Sequence, residues 1–259
     1  MIAALRGAIG FFTRLPIGQR EADWSAFVSA PWTFPVVGYL IGVIVAIPLA
    51  TTTVGAVPAP TVALAALIAL YAVTGITHLD GVADLGDAAV VHGDADDRRR
   101  VMRDADLGVG GTLALVLVVV GVTAGLLGVV TIAAVPAREG TLVAVGLVIA
   151  AEVSARSAAG TLVCVSDAAH EGLGSAVTEA STPRAAPVVI GLALPAVLLG
   201  WPRVVPAVAA LVAAFGTAVA LQSWAVQRLG GVSGDVLGAT TEIARVAALH
   251  AGVIAWTLS

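Results

Sequence analysis

The sequence predicts an all-α fold, a polytopic bundle of transmembrane helices. Of the 259 residues, 59% are hydrophobic and only 12% are charged, and the mean hydropathy is +1.01. Soluble domains are about 45–50% apolar and about 25% charged, and disordered chains are less apolar still. Both classes are therefore excluded, and we expect a single integral membrane domain over residues 1–259.

The hydrophobic stretches predict about seven spans. Because backbone groups in lipid must be satisfied within their own segment, and because the alternation of barrel strands is absent, we expect helices. Two of the segments meet at Trp201-Pro202-Arg203, which predicts a tight helical hairpin. Residues 1–20 are amphipathic and are predicted to lie along the membrane interface. The segments cover about 34–55, 57–77, 107–134, 141–165, 185–201, 203–222 and 237–258.

The placement of arginine predicts the orientation. If the N-terminus is cytoplasmic and all seven segments cross, nine arginines lie inside, and only Arg138 and Arg203 lie outside. We therefore expect a cytoplasmic N-terminus. The loops at 78–106, 165–184 and 223–236 then share the cytoplasmic face.

Acidic residues are concentrated in the predicted cytoplasmic loop 78–106, which holds eight of the seventeen. On a helix, Asp80, Asp84 and Asp87 are spaced i, i+4 and i+7 and share one face. Such carboxylates repel each other unless they are neutralised, and oxygen ligands favour Mg²⁺, Mn²⁺ or Ca²⁺ over zinc. The alternative is a solvated acidic loop without a metal, which we prefer for residues 94–97.

Two further polar clusters precede predicted spans. Arg103 can neutralise a phosphate, and the glycines that begin with Gly108 would expose backbone amides at a helix start, where anions bind. A charged cap at the membrane surface is the alternative. The glycine-rich loop 230–238 carries Asp235, which could add a carboxylate to a metal or contact a nucleotide.

Four charged residues fall within predicted spans. Glu152 and Arg156 are spaced to pair along one helix, as are Glu242 and Arg245. Intramembrane ions are functional candidates, and Arg156 is a candidate contact for a substrate phosphate. Mutual pairing is the structural alternative, and we expect a structural role for Arg245. His78 is expected to be a hydrogen-bonding partner rather than a metal ligand.

The run from His78 to Asp87 is similar to the HLDG-x-x-D-x-x-D signature of the cobalamin synthase family, the adenosylcobinamide-GDP ribazoletransferases. Residues 12–16, Phe-Thr-Arg-Leu-Pro, resemble the N-terminal element of that family. Met102-Arg103-Asp104 resembles its M-[RK]-D-S-R-x-G segment, although Ala105-Asp106 stand here in place of Ser-Arg. Other matching positions are Pro35, Gly38, Gly42, Gly108, Gly172-Leu173-Gly174 and 234–239.

The resemblance implies a reaction and its participants. The family joins adenosylcobinamide-GDP to α-ribazole, or to its 5′-phosphate, and releases GMP and adenosylcobalamin or its phosphate. Mg²⁺ is the implied cofactor. The implied setting is the bacterial cytoplasmic membrane with the site facing the cytoplasm. Partners would be the two small-molecule substrates and membrane lipid, with no nucleic acid, and a homo-oligomer stays open.

The working hypothesis distributes roles for such a transfer, in which charge neutralisation and positioning dominate. Asp80, Asp84 and Asp87 hold Mg²⁺, and Asp104 or Asp87 accepts the hydroxyl proton. Asp235 completes the metal shell or binds ribose. The remaining substrate contacts are assigned to Arg103, Gly108 and Arg156.

Three other functions were weighed. CDP-alcohol phosphotransferases share the chemistry, but their pattern needs an aspartate where Thr77 stands. A cation-coupled transporter would place its carboxylates near the membrane midplane, often within inverted repeats, and no repeat is visible. A scaffold whose acidic loop docks partners predicts that metal has no effect on stability.

Overall fold

The computed structural model describes residues 1–18, 20–54, 57–135 and 138–259. These residues form helices and no β-strand, apart from one isolated bridge between Ala168 and Val232. The α-helices in the described ranges are α1 (Ile2–Phe12), α2 (Glu21–Val28), α3 (Thr33–Ala46), α4 (Ala59–Thr74), α5 (Thr77–Val90), α6 (Ala95–Val101), α7 (Val109–Ala133), α8 (Arg138–Val165), α9 (Leu173–Glu179), α10 (Ala186–Ala193), α11 (Val205–Leu229) and α12 (Gly234–Thr257).

The predicted fold class is confirmed as a helical bundle with several apolar helices long enough to cross a membrane. Within the described ranges five segments meet that description, and a sixth would be α4 and α5 taken together. The count of seven is not confirmed, and neither is the side on which the N-terminus lies. The five segments are Thr33–Thr52, Val109–Ala133, Glu139–Val165, Pro183–Gly200 and Val205–Leu229.

The acidic run does not continue the preceding apolar helix. The axes of α4 and α5 meet at 96°, and the chain turns at Gly75, where φ is +72°. A Cβ there would lie 2.6 Å from Nε of Arg14, so both backbone conformation and space require glycine. The acidic residues are helical, as their spacing requires if they share one face, but they lie on a separate helix outside the five spans.

The bundle packs around two central helices, α8 and α12. Small residues bring their neighbours close: a Cβ at Gly38 or Gly42 of α3 would lie 2.8 or 2.7 Å from a backbone Cα of α8. α12 is buried along most of its length and contacts α5, α7, α8 and α11. Four charged residues of these two helices, Glu152, Arg156, Glu242 and Arg245, are therefore buried inside the bundle.

The three loops predicted to share one face do converge at one end of the bundle. The amide of Val232 donates to the carbonyl of Asp167 (2.9 Å), and the amide of Ala169 donates to Val232 (2.8 Å). A Cβ at Gly174 would lie 2.5 Å from the amide nitrogen of Gly234. The loops around 167–174 and 230–234 are thus packed backbone to backbone, next to α5.

Candidate active site

The acidic stripe of α5 has three carboxylates in three different environments. Asp80, in the first turn, is exposed, Asp84 is half-buried, and Asp87 is buried. The helix predicted from their spacing is present. Because of the way α5 packs against its neighbours, the three carboxylates differ in burial.

Asp87 binds the start of α7. Its Oδ2 accepts a hydrogen bond from the amide of Gly108 and its Oδ1 accepts one from Gly111, both at 2.8 Å. These amides are unpaired within α7 because they belong to its first turn, and a carboxylate there also complements the helix dipole. Both the Gly108 amide and the Asp87 oxygens are therefore engaged within the protein, and we see Asp87 as a residue that positions α7 against α5.

Asp235 meets the stripe from the first turn of α12. A Cβ at Gly81 would lie 2.5 Å from the backbone oxygen of Asp235, so only glycine allows α5 to approach α12 this closely. The Asp235 carboxylate accepts a hydrogen bond from the hydroxyl of Ser233, at 3.3 Å. Acidic residues 155 positions apart in the sequence, Asp80 and Asp235, thus line one cavity.

The electrostatics of Asp84 show that these carboxylates are uncompensated. Burial, and then the negative charges of Asp235, Asp80 and Asp87, raise the pKa of the Asp84 carboxyl to about 7. Among the described residues, no basic side chain forms an ion pair with Asp80, Asp84 or Asp235. A bound divalent cation would relieve this repulsion.

The carboxylates suit Mg²⁺, but they are too few to hold the ion without other ligands. In the part of the chain that the structure describes, no group of three or more His, Cys, Asp or Glu side chains is arranged to hold a metal ion. Mg²⁺ is commonly bound by one or two carboxylates and completes its octahedron with water and substrate phosphates. The carboxylates therefore fit an ion shared with a substrate, and not an ion held by protein alone.

Two of the carboxylates, those of Asp80 and Asp235, open onto a cavity of about 630 Å³, which we call the acidic cavity; Asp84 lies one turn along α5 from Asp80 and does not line it. Asp80 and Asp235 line it, together with His170 and the α9 loop with Gly172 and Ser175. Polar and glycine-rich backbone thus faces the carboxylates across the cavity. A space of this size and polarity can admit part of a nucleotide.

A second charged cluster lies buried behind the acidic cavity. Arg245 donates from Nε and Nη2 to the two carboxylate oxygens of Glu152 and from Nη1 to Glu242. All three residues are at most 2% exposed. The predicted Glu242–Arg245 pair and the structural role of Arg245 are confirmed. The predicted Glu152–Arg156 pair is wrong, because Glu152 turns across to α12.

His78 connects the buried cluster to the cavity. Its Nδ1 lies 3.7 Å from Oε1 of Glu242, and its ring also lines the acidic cavity. Burial lowers the pKa of His78, although Glu242 opposes this shift. At 3.7 Å the contact is longer than a hydrogen bond. The expectation that His78 forms a hydrogen bond is therefore not met, although it faces a carboxylate.

The comparisons with known proteins assign the chain to a family. A family model described as cobalamin-5-phosphate synthase matches residues 4–253. The chain belongs to this family. An adenosylcobinamide-GDP ribazoletransferase of Halorubrum lacusprofundi is 61% identical over 258 residues, covering 99% of each chain. A protein of the same name from Haloquadratum walsbyi is 47% identical over an alignment that covers 100% of each chain. No solved structure matches the chain.

Family membership confirms the resemblance and makes the chain a transferase. It disfavours the transporter hypothesis, as does the position of Asp235 in the first turn of a helix rather than at its middle. The relatives include archaea, so the expectation of a bacterial membrane has no support.

Two residues that match the family's second motif lie outside the acidic cavity. Arg103 and Asp104 are both exposed, in the segment between α6 and α7. Asp104 accepts a hydrogen bond from the amide of Asp106, at 3.2 Å. Neither residue lines the acidic cavity, and their assigned roles stay predictions.

The structure also reveals contributors that the sequence analysis missed. Phe12, at the end of α1, stacks over the guanidinium of Arg156, whose Cζ is 5.1 Å from the ring centroid. Ser233 caps α12 by accepting a hydrogen bond from Val236. The only sequence signal for the cap was a serine directly before the helix; the stacking partner had none.

Proposed function

We propose that the chain joins adenosylcobinamide-GDP to α-ribazole or its 5′-phosphate, giving adenosylcobalamin or its phosphate and releasing GMP. The observation that carries the proposal is the common wall that Asp80, at the start of the α5 stripe, forms with Asp235, next to the glycine-rich α9 loop. The names of the relatives, which describe this transfer, support it.

The transfer is a substitution at phosphorus. A ribose hydroxyl oxygen forms a bond to the cobinamide-side phosphorus of the diphosphate. The bond from that phosphorus to the bridging oxygen breaks, and GMP leaves with the electron pair. The hydroxyl proton passes to a protein carboxylate. Correct placement of the two substrates supplies much of the acceleration.

Mg²⁺ is the proposed cofactor, and Asp84 together with Asp80 would hold it. When bound, Mg²⁺ neutralises charge on the phosphate oxygens. Asp87 keeps α7 in place behind these residues. This differs from the initial hypothesis, in which Asp87 was a third ligand, because its oxygens already accept two backbone hydrogen bonds.

Asp235 is the proposed proton acceptor. It lines the acidic cavity beside the start of α5, and a general base must lie within hydrogen-bond reach of the proton that it takes. Asp104, the earlier candidate, does not line that cavity. Arg103 and the Gly108 region would hold the diphosphate only after the 102–107 segment has moved.

The site is proposed to face the cytoplasm, in the cytoplasmic membrane, with the N-terminus inside. The arginine distribution is the support for this orientation. The helix α1, with exposed Met1 and Ile2, would lie at the lipid interface. Nothing in the composition calls for a nucleic acid, and self-association stays a prediction.

The test is turnover of both substrates by Asp84→Asn in detergent with saturating Mg²⁺. We expect a loss of about 100-fold or more with no loss of thermal stability, because the change removes a repelled carboxylate. The matched control is Asp96→Asn, an exposed aspartate of α6 that pairs with Arg99. Turnover equal to that of the parent would refute the metal assignment.

A further inference from the structure

Arg156 is a buried cation without an acceptor. It is 0% exposed, and none of Nε, Nη1 and Nη2 has a hydrogen-bond partner among the described residues. A guanidinium offers five N–H donors, and leaving buried charged donors unsatisfied is costly. An arginine kept in this state points to an anionic ligand.

The neighbouring carboxylates are already engaged elsewhere. Both oxygens of Glu152 accept from Arg245, one oxygen of Glu242 does so as well, and the other faces His78. The two glutamates balance the charge of the two arginines, but they provide hydrogen bonds to only one of them. Among the residues that the structure describes, no group accepts a hydrogen bond from Arg156.

Arg156 lies behind the ring of Phe12, which lines a smaller space next to the acidic cavity. This smaller space, of about 60 Å³, continues the cavity inward, since His78, Leu173, Gly174 and Gly234 line both. Its walls include Phe12, which covers the guanidinium, and Ala159, which lies one turn from Arg156 on the same face of α8. A cavity needs only about 10–15 Å³ to admit one water, so this space can admit a small anion.

We propose that Arg156 is the receptor for a phosphate monoester, the 5′-phosphate of α-ribazole 5′-phosphate, and that it makes this enzyme prefer the phosphorylated acceptor. This inference rests on the proposed function. The phosphate, with a charge of about −1.5 to −2, is repelled by Asp80 and Asp235 at the wall of the acidic cavity. Arg156 attracts it inward, where a guanidinium can donate two parallel hydrogen bonds.

Two consequences define the bound arrangement. The acceptor enters with its phosphate toward Arg156, so its ribose is left nearer the carboxylates that take the hydroxyl proton. The ring of Phe12 must turn aside, because it now covers the guanidinium. The alternative source of phosphate is the diphosphate of adenosylcobinamide-GDP, which the same guanidinium could bind.

The experiment compares kcat/KM for the two acceptors, α-ribazole 5′-phosphate and α-ribazole, in the parent, Arg156→Gln and Arg156→Lys. We expect Arg156→Gln to lose roughly 10- to 100-fold with the phosphorylated acceptor and little with free α-ribazole. Arg156→Lys should restore part of the preference. Activity with free α-ribazole in the same sample reports that the variant is folded.

The control is Arg203→Gln, since Arg203 also stacks on an aromatic ring, that of Trp256, but lies by Glu139 at the opposite end of α8. It should leave the acceptor ratio unchanged. An unchanged ratio in active Arg156→Gln would overturn the inference. Equal losses with both acceptors and a raised KM for adenosylcobinamide-GDP would also overturn it, in favour of the diphosphate. A parent that joins neither acceptor would instead refute the proposed function.

Discussion

The protein holds two groups of charged side chains that differ in how their charge is balanced. The first group is the acidic stripe with Asp235, where the carboxylates are partly accessible and have no cationic partner. The second is the buried cluster of Glu152, Glu242, Arg245 and Arg156, where two acids face two bases. In the first group, burial and then repulsion by the neighbouring carboxylates raise the pKa of Asp84 to about 7.

The difference separates the candidate cation site from the salt-bridge network of Glu152, Glu242 and Arg245 that connects two helices. A cation or a proton that binds to carboxylates that repel each other stabilises them. Buried ions that are already neutralised gain nothing from a cation, and they connect α8 to α12, the helix that carries Asp235. The uncompensated negative charge of the acidic stripe indicates the cation site. The ion pairs between α8 and α12 hold in place the helix that carries Asp235.

The largest expected effect comes from unbalancing the buried cluster. Arg245→Gln leaves Glu152 and Glu242 without their cation, and breaking a buried pair costs about 3–5 kcal/mol. Thermal unfolding in detergent should therefore occur on the order of 10 °C lower. Arg203→Gln, which breaks the exposed pair with Glu139, should cost less than about 1 kcal/mol. Equal stability of both variants would show that the cluster does not support the frame.

A smaller effect is expected from separating α5 and α12 without changing any charge. Gly81→Ala places a Cβ 2.5 Å from the backbone oxygen of Asp235, and overpacking costs about 1–3 kcal/mol. Turnover should fall at least about tenfold, because the acidic stripe moves away from Asp235. In the control Gly216→Ala, in α11, the Cβ meets nothing within 4 Å. Parental turnover by Gly81→Ala would mean that the two acidic segments need not be adjacent.

The sequence predicted well what depends on spacing along one helix. The period of 3.6 residues placed Asp80, Asp84 and Asp87 together, and it also paired Glu242 with Arg245. It could not show that Asp87 binds the amides of α7, because that depends on how α5 is rotated against its neighbour. The grouping of the three loops was predicted because it follows from the order of crossings.

The errors arose where tertiary packing chooses between partners. Glu152 has a suitably spaced Arg156 on its own helix, yet it pairs with Arg245 on α12. Spacing shows only that a pair within one helix is possible. An arginine on another helix can form the ion pair instead when its geometry is better. The bend at Gly75 had a local signal, a glycine between apolar residues, but its positive φ and the arginine packed over it required the structure.

The smallest expected effect is a dependence of stability on pH that Mg²⁺ removes. In the folded protein the pKa of Asp84 is raised to about 7, whereas an unfolded aspartate has a pKa of about 3.9. The folded state therefore binds more protons between about pH 4 and 7, and stability falls as the pH rises through that window. Because Asp84 is partly accessible to solvent, we expect a fall of only about 2–4 °C in Tm, or about 1 kcal/mol.

Thermal unfolding at pH 5 and pH 7.5, with Mg²⁺ or with a chelator, checks this. Mg²⁺ should raise the Tm at pH 7.5, where the Asp84 carboxyl is largely ionised, and have little effect at pH 5, where a proton already neutralises it. Asp84→Asn should lose both the pH dependence and the Mg²⁺ effect, while Asp96→Asn keeps them. A Tm increase with Mg²⁺ that is the same at both pH values and in Asp84→Asn would place the cation elsewhere, and the contrast between the two charged groups would then no longer mark the acidic cavity as the metal site.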